Sequence, residues 1–191
     1  MEIRQAFFPA EFRTWEDIDR LSLEGYFVVY NQRTELWPRF FEEIAPEALR
    51  NATAGNVIAL FNHNTDIVLG ATANGTLELQ NDTAGLYGMI HINREDTEAV
   101  NIYQRVKRGD IAGCSFGFRV NGEEFIEGEN GSIISRITDV ELLEVSVCPF
   151  PAYPQTSIQA RRKAFEDSQR RAIDAKREAL RRRLHHGAQI P

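Results

Sequence analysis

Over most of the first 150 residues the apolar positions fall in short runs of aromatic and β-branched side chains, a pattern that predicts strands. Gly25-Tyr26-Phe27-Val28-Val29-Tyr30 and Asn56-Val57-Ile58-Ala59-Leu60-Phe61 are the clearest of these runs. Three Asn-Gly pairs, beginning at Asn74, Asn121 and Asn130, supply the residues with positive φ that tight hairpins need. Residues 66–93 therefore read as a meander with strands over 67–71, 76–80 and 86–92, and later strands are expected over about 115–120 and 133–147. Helical spacing interrupts this twice. Residues 46–50 open on Pro46, which suits a first helical turn. Residues 96–107 repeat Val100, Tyr103 and Val106 at intervals of three, with Gly109 as a stop. The body is thus expected to be mainly β with flanking helices, most simply a closed or nearly closed barrel.

Pro149, Pro151 and Pro154 end the last strand. Residues 157–184 contain neither Gly nor Pro and carry a thin apolar stripe through Ile158, Phe165, Ile173, Leu180 and Leu184. They predict one long basic amphipathic helix, which divides the chain into a β body over 1–156 and a helical tail over 157–191.

Composition sharpens that division. The net charge of −6 conceals ten Lys/Arg against four Asp/Glu in residues 161–191, and twelve against twenty-four in residues 1–160. An acidic body with a basic tail implies two segments with different tasks. With 42% hydrophobic residues in 191, the body has enough apolar side chain for a sizeable core. No run approaches the length of a membrane span, and the opening Met1-Glu2-Ile3-Arg4-Gln5 lacks the layout of a signal peptide. A cytoplasmic address is expected, with Cys114 and Cys148 as free thiols. No Cys/His cluster has zinc spacing, so neither a metal nor a cofactor is expected.

Three constellations carry candidate chemistry. Gly113-Cys114-Ser115-Phe116-Gly117 matches G-x-S-x-G, but a helix precedes it and a strand follows, the reverse of an α/β-hydrolase elbow. Leu60-Phe61-Asn62-His63-Asn64 sets a histidine where a strand meets a loop, a place for a functional group, although read alone it fits a strand-capping surface histidine better. Val140-Glu141-Leu142-Leu143-Glu144-Val145-Ser146 holds two carboxylates in an apolar strand. By period two, Glu144 shares a face with Val140, Leu142 and Ser146, and Glu141 with Leu143 and Val145. Either is a solvent-facing edge residue or the carboxylate that orients an imidazole. A serine nucleophile needs a base within hydrogen-bond reach, and the base needs an orienting partner. His63, Ser115 and one of the two glutamates fill those roles in that chain order.

Here the residues resemble a known family. Gly25-Tyr26, Phe41-Glu42-Glu43-Ile44 with Pro46-Glu47-Ala48-Leu49, and the His63 segment are similar to the tailed-phage prohead maturation proteases. So are Val68-Leu69-Gly70, Gly75-Thr76-Leu77, the block from Lys107-Arg108-Gly109-Asp110 to Phe118, and Leu143-Glu144-Val145-Ser146-Val147 with Pro151-Ala152-Tyr153-Pro154. The resemblance covers about residues 20 to 158, in order. It implies a serine endopeptidase with the mostly antiparallel barrel of the herpesvirus proteases, acting without a cofactor. Its substrates would be the phage major capsid protein and scaffold segments, inside an immature procapsid in the host cytoplasm, with self-cleavage as a further activity.

The herpesvirus branch carries its third catalytic residue in a His-Val-x-x-Cys run. Glu144-Val145-Ser146-Val147-Cys148 corresponds to it, so the resemblance favours Glu144 over Glu141 and implies the set His63, Ser115 and Glu144. One departure concerns the oxyanion hole: the herpesvirus enzymes place an arginine in the next loop, and 149–154 contains none. Backbone N–H groups of that loop or near Ser115 are the remaining candidates. Cys114 is a rival nucleophile, expected to point away from Ser115 as its strand neighbour. Dimer activation in the herpesvirus branch allows a homodimer here. The tail reads as a scaffold-binding or packaging helix; with Phe165 as its one aromatic residue it does not single out nucleic acid. The alternatives are a non-catalytic assembly protein on the same fold, and a metallohydrolase built on His63, Asp66 and His91, for which no short ligand pair is present.

Overall fold

The computed structural model describes residues 3–9, 11–16, 20–51, 54–149 and 155–187. Strands dominate the first of its two units, Met1–Tyr153. In chain order they are β1 (Ile3–Pro9), β2 (Arg13–Glu16), β3 (Leu21–Val29), β4 (Thr34–Trp37), β5 (Phe40–Ile44), β6 (Ile58–Phe61), β7 (Asn64–Ala71), β8 (Leu77–Asn81) and β9 (Gly85–Ile92). Helix α1 (Thr97–Arg108) follows, then the long β10 (Gly113–Glu127) and β11 (Ile133–Cys148). The expected strands and both short helices are present, residues 46–49 as a single 3-10 turn. β1, β2, β4 and β5 are additions to the expected set.

The strands do not close into one ring, which corrects the barrel expectation. They form a seven-stranded sheet through β1-β10-β11-β5-β4, with β6 and β7 branching from β11, and a separate four-stranded sheet β2-β3-β9-β8. The branch arises because β11 changes partner along its length: residues 133–137 run parallel to β5, and residues 144–147 run parallel to β6. The two sheets meet through side chains. Phe27, Leu86, Ile90, Phe116, Phe118 and Val145, each fully buried, belong to one hydrophobic core.

Helix α1 is bounded by local chemistry. The Asp96 carboxylate accepts from the amides of Glu98 and Ala99, and Gly109 ends the helix with φ +88°. Ala99, Ile102, Tyr103 and Val106 bury the apolar face. Of the three Asn-Gly pairs, Asn130-Gly131 makes the β10–β11 turn with both residues at positive φ. Gly75, also at positive φ, closes a short turn before β8. Asn121-Gly122 makes no hairpin: it lies within β10 at a register shift against β11.

The second unit, Pro154–Pro191, contains the single helix α2 (Gln155–Gly187). It is stitched by i,i+4 pairs such as Arg182–Glu178, 3.2 Å apart, and Ile173 of the stripe is 48% exposed. No helix among the described residues is long and apolar enough to cross a membrane.

Candidate active site

Three local decisions place the candidate side chains. The first is a tight turn. Asn62 and His63 both have positive φ, and Phe61 pairs with Asn64, so β6 and β7 are joined by a two-residue hairpin. Histidine is among the few side chains that tolerate this region. The turn is pinned to β11: the Asn62 amide donates to the Val147 carbonyl at 3.0 Å, and the His63 amide to Ser146 Oγ at 3.2 Å.

The second is a bulge in β11. Phe118 pairs with Leu142 and Gly117 with Glu144, so Leu143 is the extra residue. Val140 and Leu142 before it, and Val145 and Val147 after it, all belong to the core. Strict alternation fails at this point. Glu144 keeps Ser146 as its face-mate, but Val140 and Leu142 lie on the other side, which corrects the period-two assignment.

The third is the register of β10 with β11. Ser115 stands opposite Ser146 and Gly117 opposite Glu144, while Cys114, Phe116 and Phe118 turn into the core. Ser115, Gly117, Glu144 and Ser146 therefore share the face away from the core. A Cβ on Gly117 would overlap Glu144 Oε1, so glycine here makes the room that the carboxylate occupies.

On that face, His63 Nδ1 and Glu144 Oε1 are 2.7 Å apart. The second oxygen, Oε2, accepts from Ser146 Oγ at 2.6 Å. A carboxylate held at both oxygens keeps Nδ1 as the protonated nitrogen and leaves Nε2 as the basic one. His63 Nε2 is buried and, among the described residues, has no hydrogen-bond partner. Ser115 is fully buried, and its Oγ donates to the Ala6 carbonyl of β1 at 2.8 Å. The structure thus joins His63 to Glu144 directly and gives Ser115 a backbone partner on β1.

The rival groups sit elsewhere. Glu141 is exposed and pairs with Arg119 at 2.9 Å. The Cys114 thiol is buried in the core, donating to the Tyr26 and Phe27 carbonyls at 3.3 and 3.4 Å. His91 Nε2 lies 2.7 Å from Glu78 Oε1, so the metallohydrolase set of His63, Asp66 and His91 is not assembled. Among the described residues no group of three His, Cys, Asp or Glu side chains comes together to hold a metal. The N–H groups of the loop after β11 lie outside the described residues; Pro149, which is described, carries no backbone N–H to offer an oxyanion.

Ser146 was missed by sequence reasoning, although Glu-x-Ser at alternate strand positions is a legible signal for side chains that meet on one face. It acts on the couple from behind, as a positioning residue. Ser146→Ala is expected to lower kcat about tenfold to a hundredfold with KM little changed, and Ser146→Thr to restore most of it. Peptide-cleavage kinetics on both variants check this; a rise in KM alone would remove the positioning role.

Burial, with the Glu144 charge beside it, pushes the Cys148 thiol up to about 12. Cys148 and Cys114 are both fully buried. Neither is therefore expected to react with Ellman's reagent at pH 8 in the folded protein, and both should react once it is unfolded. Rapid labelling of the native chain would reopen Cys114 as a nucleophile.

An imidazole oriented by a carboxylate, on the same sheet face as a buried serine, is the equipment of serine hydrolases. The chain belongs to the caudovirus prohead serine proteases: that family's model matches residues 9–171. It is 30% identical over 159 residues to the prohead protease of Enterobacteria phage HK97, covering 81% of this chain and 66% of that one. The solved capsid assembly protease of bacteriophage T4 aligns over 78% of this chain and 99% of its own, at 12% identity and a TM-score of 0.49.

Proposed function

We propose that the chain is a serine endopeptidase that cleaves capsid-protein and scaffold segments during phage procapsid maturation, with Ser115 as nucleophile, His63 as base and Glu144 as orienting carboxylate. The observation that carries this reading is the 2.7 Å His63–Glu144 contact, which leaves Nε2 buried and unpartnered on the face that holds Ser115. Ser115 Oγ attacks the scissile carbonyl carbon as its proton passes to His63 Nε2. The tetrahedral intermediate collapses with delivery of that proton to the leaving amine, and an acyl-enzyme remains. Water, deprotonated by the same nitrogen, releases the acid and regenerates the serine. Glu144 accepts from Nδ1–H throughout and stabilises the imidazolium. Before attack, Ser115 Oγ must turn from the Ala6 carbonyl toward His63 Nε2.

The test is intact-mass spectrometry of wild type and Ser115→Ala, each co-expressed with its phage's major capsid protein. Trimming of the capsid protein, or of the chain itself, by wild type and not by the variant is the expected result. Full-length products in both, with the two proteins still co-purifying, would favour a non-catalytic assembly factor. The basic tail is read as the element that brings the enzyme into the shell. A chain stopped at Ala160 is therefore expected to be packaged several-fold less than the full chain, and equal packaging removes that role.

A further inference from the structure

A serine protease needs hydrogen-bond donors aimed at the oxygen that becomes charged when the nucleophile adds to the scissile carbonyl. The backbone around Ser115 is badly placed to supply them. Residues 113–117 of β10 are paired on both sides, with β1 and with β11. A strand flanked in this way commits its N–H groups to the two ladders. A side chain on the catalytic face is the other source.

β1 brings one there. Its register on β10 is unbroken: Arg4 stands opposite Phe118 and Ala6 opposite Phe116, both residues of the core face. By alternation Ile3 and Gln5 take the other face, opposite Arg119 and Gly117. Exposure agrees, since Ile3 is 52% exposed and Gln5 half-buried while Arg4 and Ala6 are buried. This is the face that carries Ser115, Glu144 and Ser146. Opposite Gly117, Gln5 forms a diagonal pair with Ser115, a Cβ separation of about 7–8 Å that long side chains cross.

The nucleophile lies close to this stretch of β1, because its 2.8 Å bond runs to the carbonyl of Ala6, the residue after Gln5. His63 approaches from the opposite side. Its backbone N–H rests on Ser146 and its ring on Glu144, both of β11. β10 runs between β1 and β11. A carbonyl carbon held over Ser115 therefore has the base on its β11 side and Gln5 on its β1 side. The proton leaves toward one wall while negative charge grows toward the other. A carboxamide suits that second wall, with two N–H donors and no charge of its own.

Building on the protease reading, we infer that Gln5 is a catalytic residue whose side-chain N–H donates to the oxyanion of the tetrahedral intermediate. As Ser115 Oγ bonds to the carbonyl carbon, the C=O π pair moves onto oxygen and the serine proton passes to His63 Nε2. Gln5 neither gains nor loses a proton. Its hydrogen bond strengthens as the charge develops and weakens when the intermediate collapses.

Two variants test this in the full chain: Gln5→Met removes the donors at similar length, and Gln5→Glu removes them at the same shape. Each is assayed on a peptide spanning the capsid-protein cleavage site located by intact mass. Each is also titrated with a trifluoromethyl ketone of that sequence, which takes up Ser115 Oγ as a hemiketal oxyanion. Both variants are expected to lose about 10²- to 10³-fold in kcat, with KM within about twofold. Ketone affinity should fall in parallel, and the acid limb of the kcat/KM profile should stay in place. A kcat within about threefold of the unmodified chain overturns the inference, as does a lowered kcat with ketone affinity unchanged. A displaced acid limb overturns it too, because Gln5 would then act through Glu144 and His63. Thermal melts identify a variant that is merely misfolded, and the other then decides. Should the unmodified chain trim no capsid protein, the protease reading falls and this one with it; full activity in both variants removes Gln5 alone.

Discussion

Replacing Ser115 by Ala is expected to lower the rate of peptide cleavage about 10⁴- to 10⁶-fold while leaving the fold in place. The two effects separate because the side chain does two unequal things. In the resting structure its hydroxyl makes one hydrogen bond, to the Ala6 carbonyl, in a fully buried position. Losing that bond costs about 1 kcal/mol, the net worth of a typical intramolecular hydrogen bond, and alanine otherwise occupies the same space. In the reaction the oxygen is the atom that forms the acyl bond, and nothing on the same face can replace it: Cys114 points into the core and Ser146 is tied to Glu144. Single-turnover kinetics together with a thermal melt measure both. A loss of rate under tenfold would take the nucleophile away from Ser115.

Glu144→Gln is expected to cost about 10³- to 10⁴-fold in kcat, and Glu141→Gln less than twofold. The substitutions are chemically identical, and the strand is the same; only the surroundings differ. Glu144 accepts from Ser146 and faces His63 Nδ1. An amide in its place can turn its NH₂ toward the ring, which favours the tautomer with the proton on Nε2 and removes the base. Glu141 faces solvent with Arg119, an exposed pair of the kind that contributes little. Parallel kinetics of the two variants decide the assignment; equal activity in both would leave His63 without its orienting group. Gly117→Ala provides a steric counterpart, since the added methyl competes with Glu144 Oε1 for one position.

Much of this site was legible along the chain. His63 and Ser115 stood out because polar residues were set into apolar or glycine-rich strand segments, and the order of the family-like segments tied them together. Helix α1 was legible because Asp96, Val100, Tyr103, Val106 and Gly109 mark its start, face and stop by purely local rules. The face of Glu144 was not. Period-two reasoning assumes an unbroken ladder, and one extra residue at Leu143 reverses the alternation without changing the composition of the strand. Asn121-Gly122 misled for the related reason that glycine serves a bulge as readily as a turn.

The amino-acid sequence by itself therefore determined which residues are candidates for the chemistry, the β character of the body, the basic helical tail and the family. These depend on side-chain type, local periodicity and order, all of which are properties of neighbours along the chain. The choice of Glu144 over Glu141 came from the resemblance and not from the strand pattern, and the structure sets Glu144 against His63. Tertiary structure alone decided that Ser146 backs it and that Ser115 meets the Ala6 carbonyl of β1. Those facts depend on pairings between residues as far apart as Ala6 and Ser115. Register, bulges and sheet branching set such pairings, through packing that no local stretch of sequence contains.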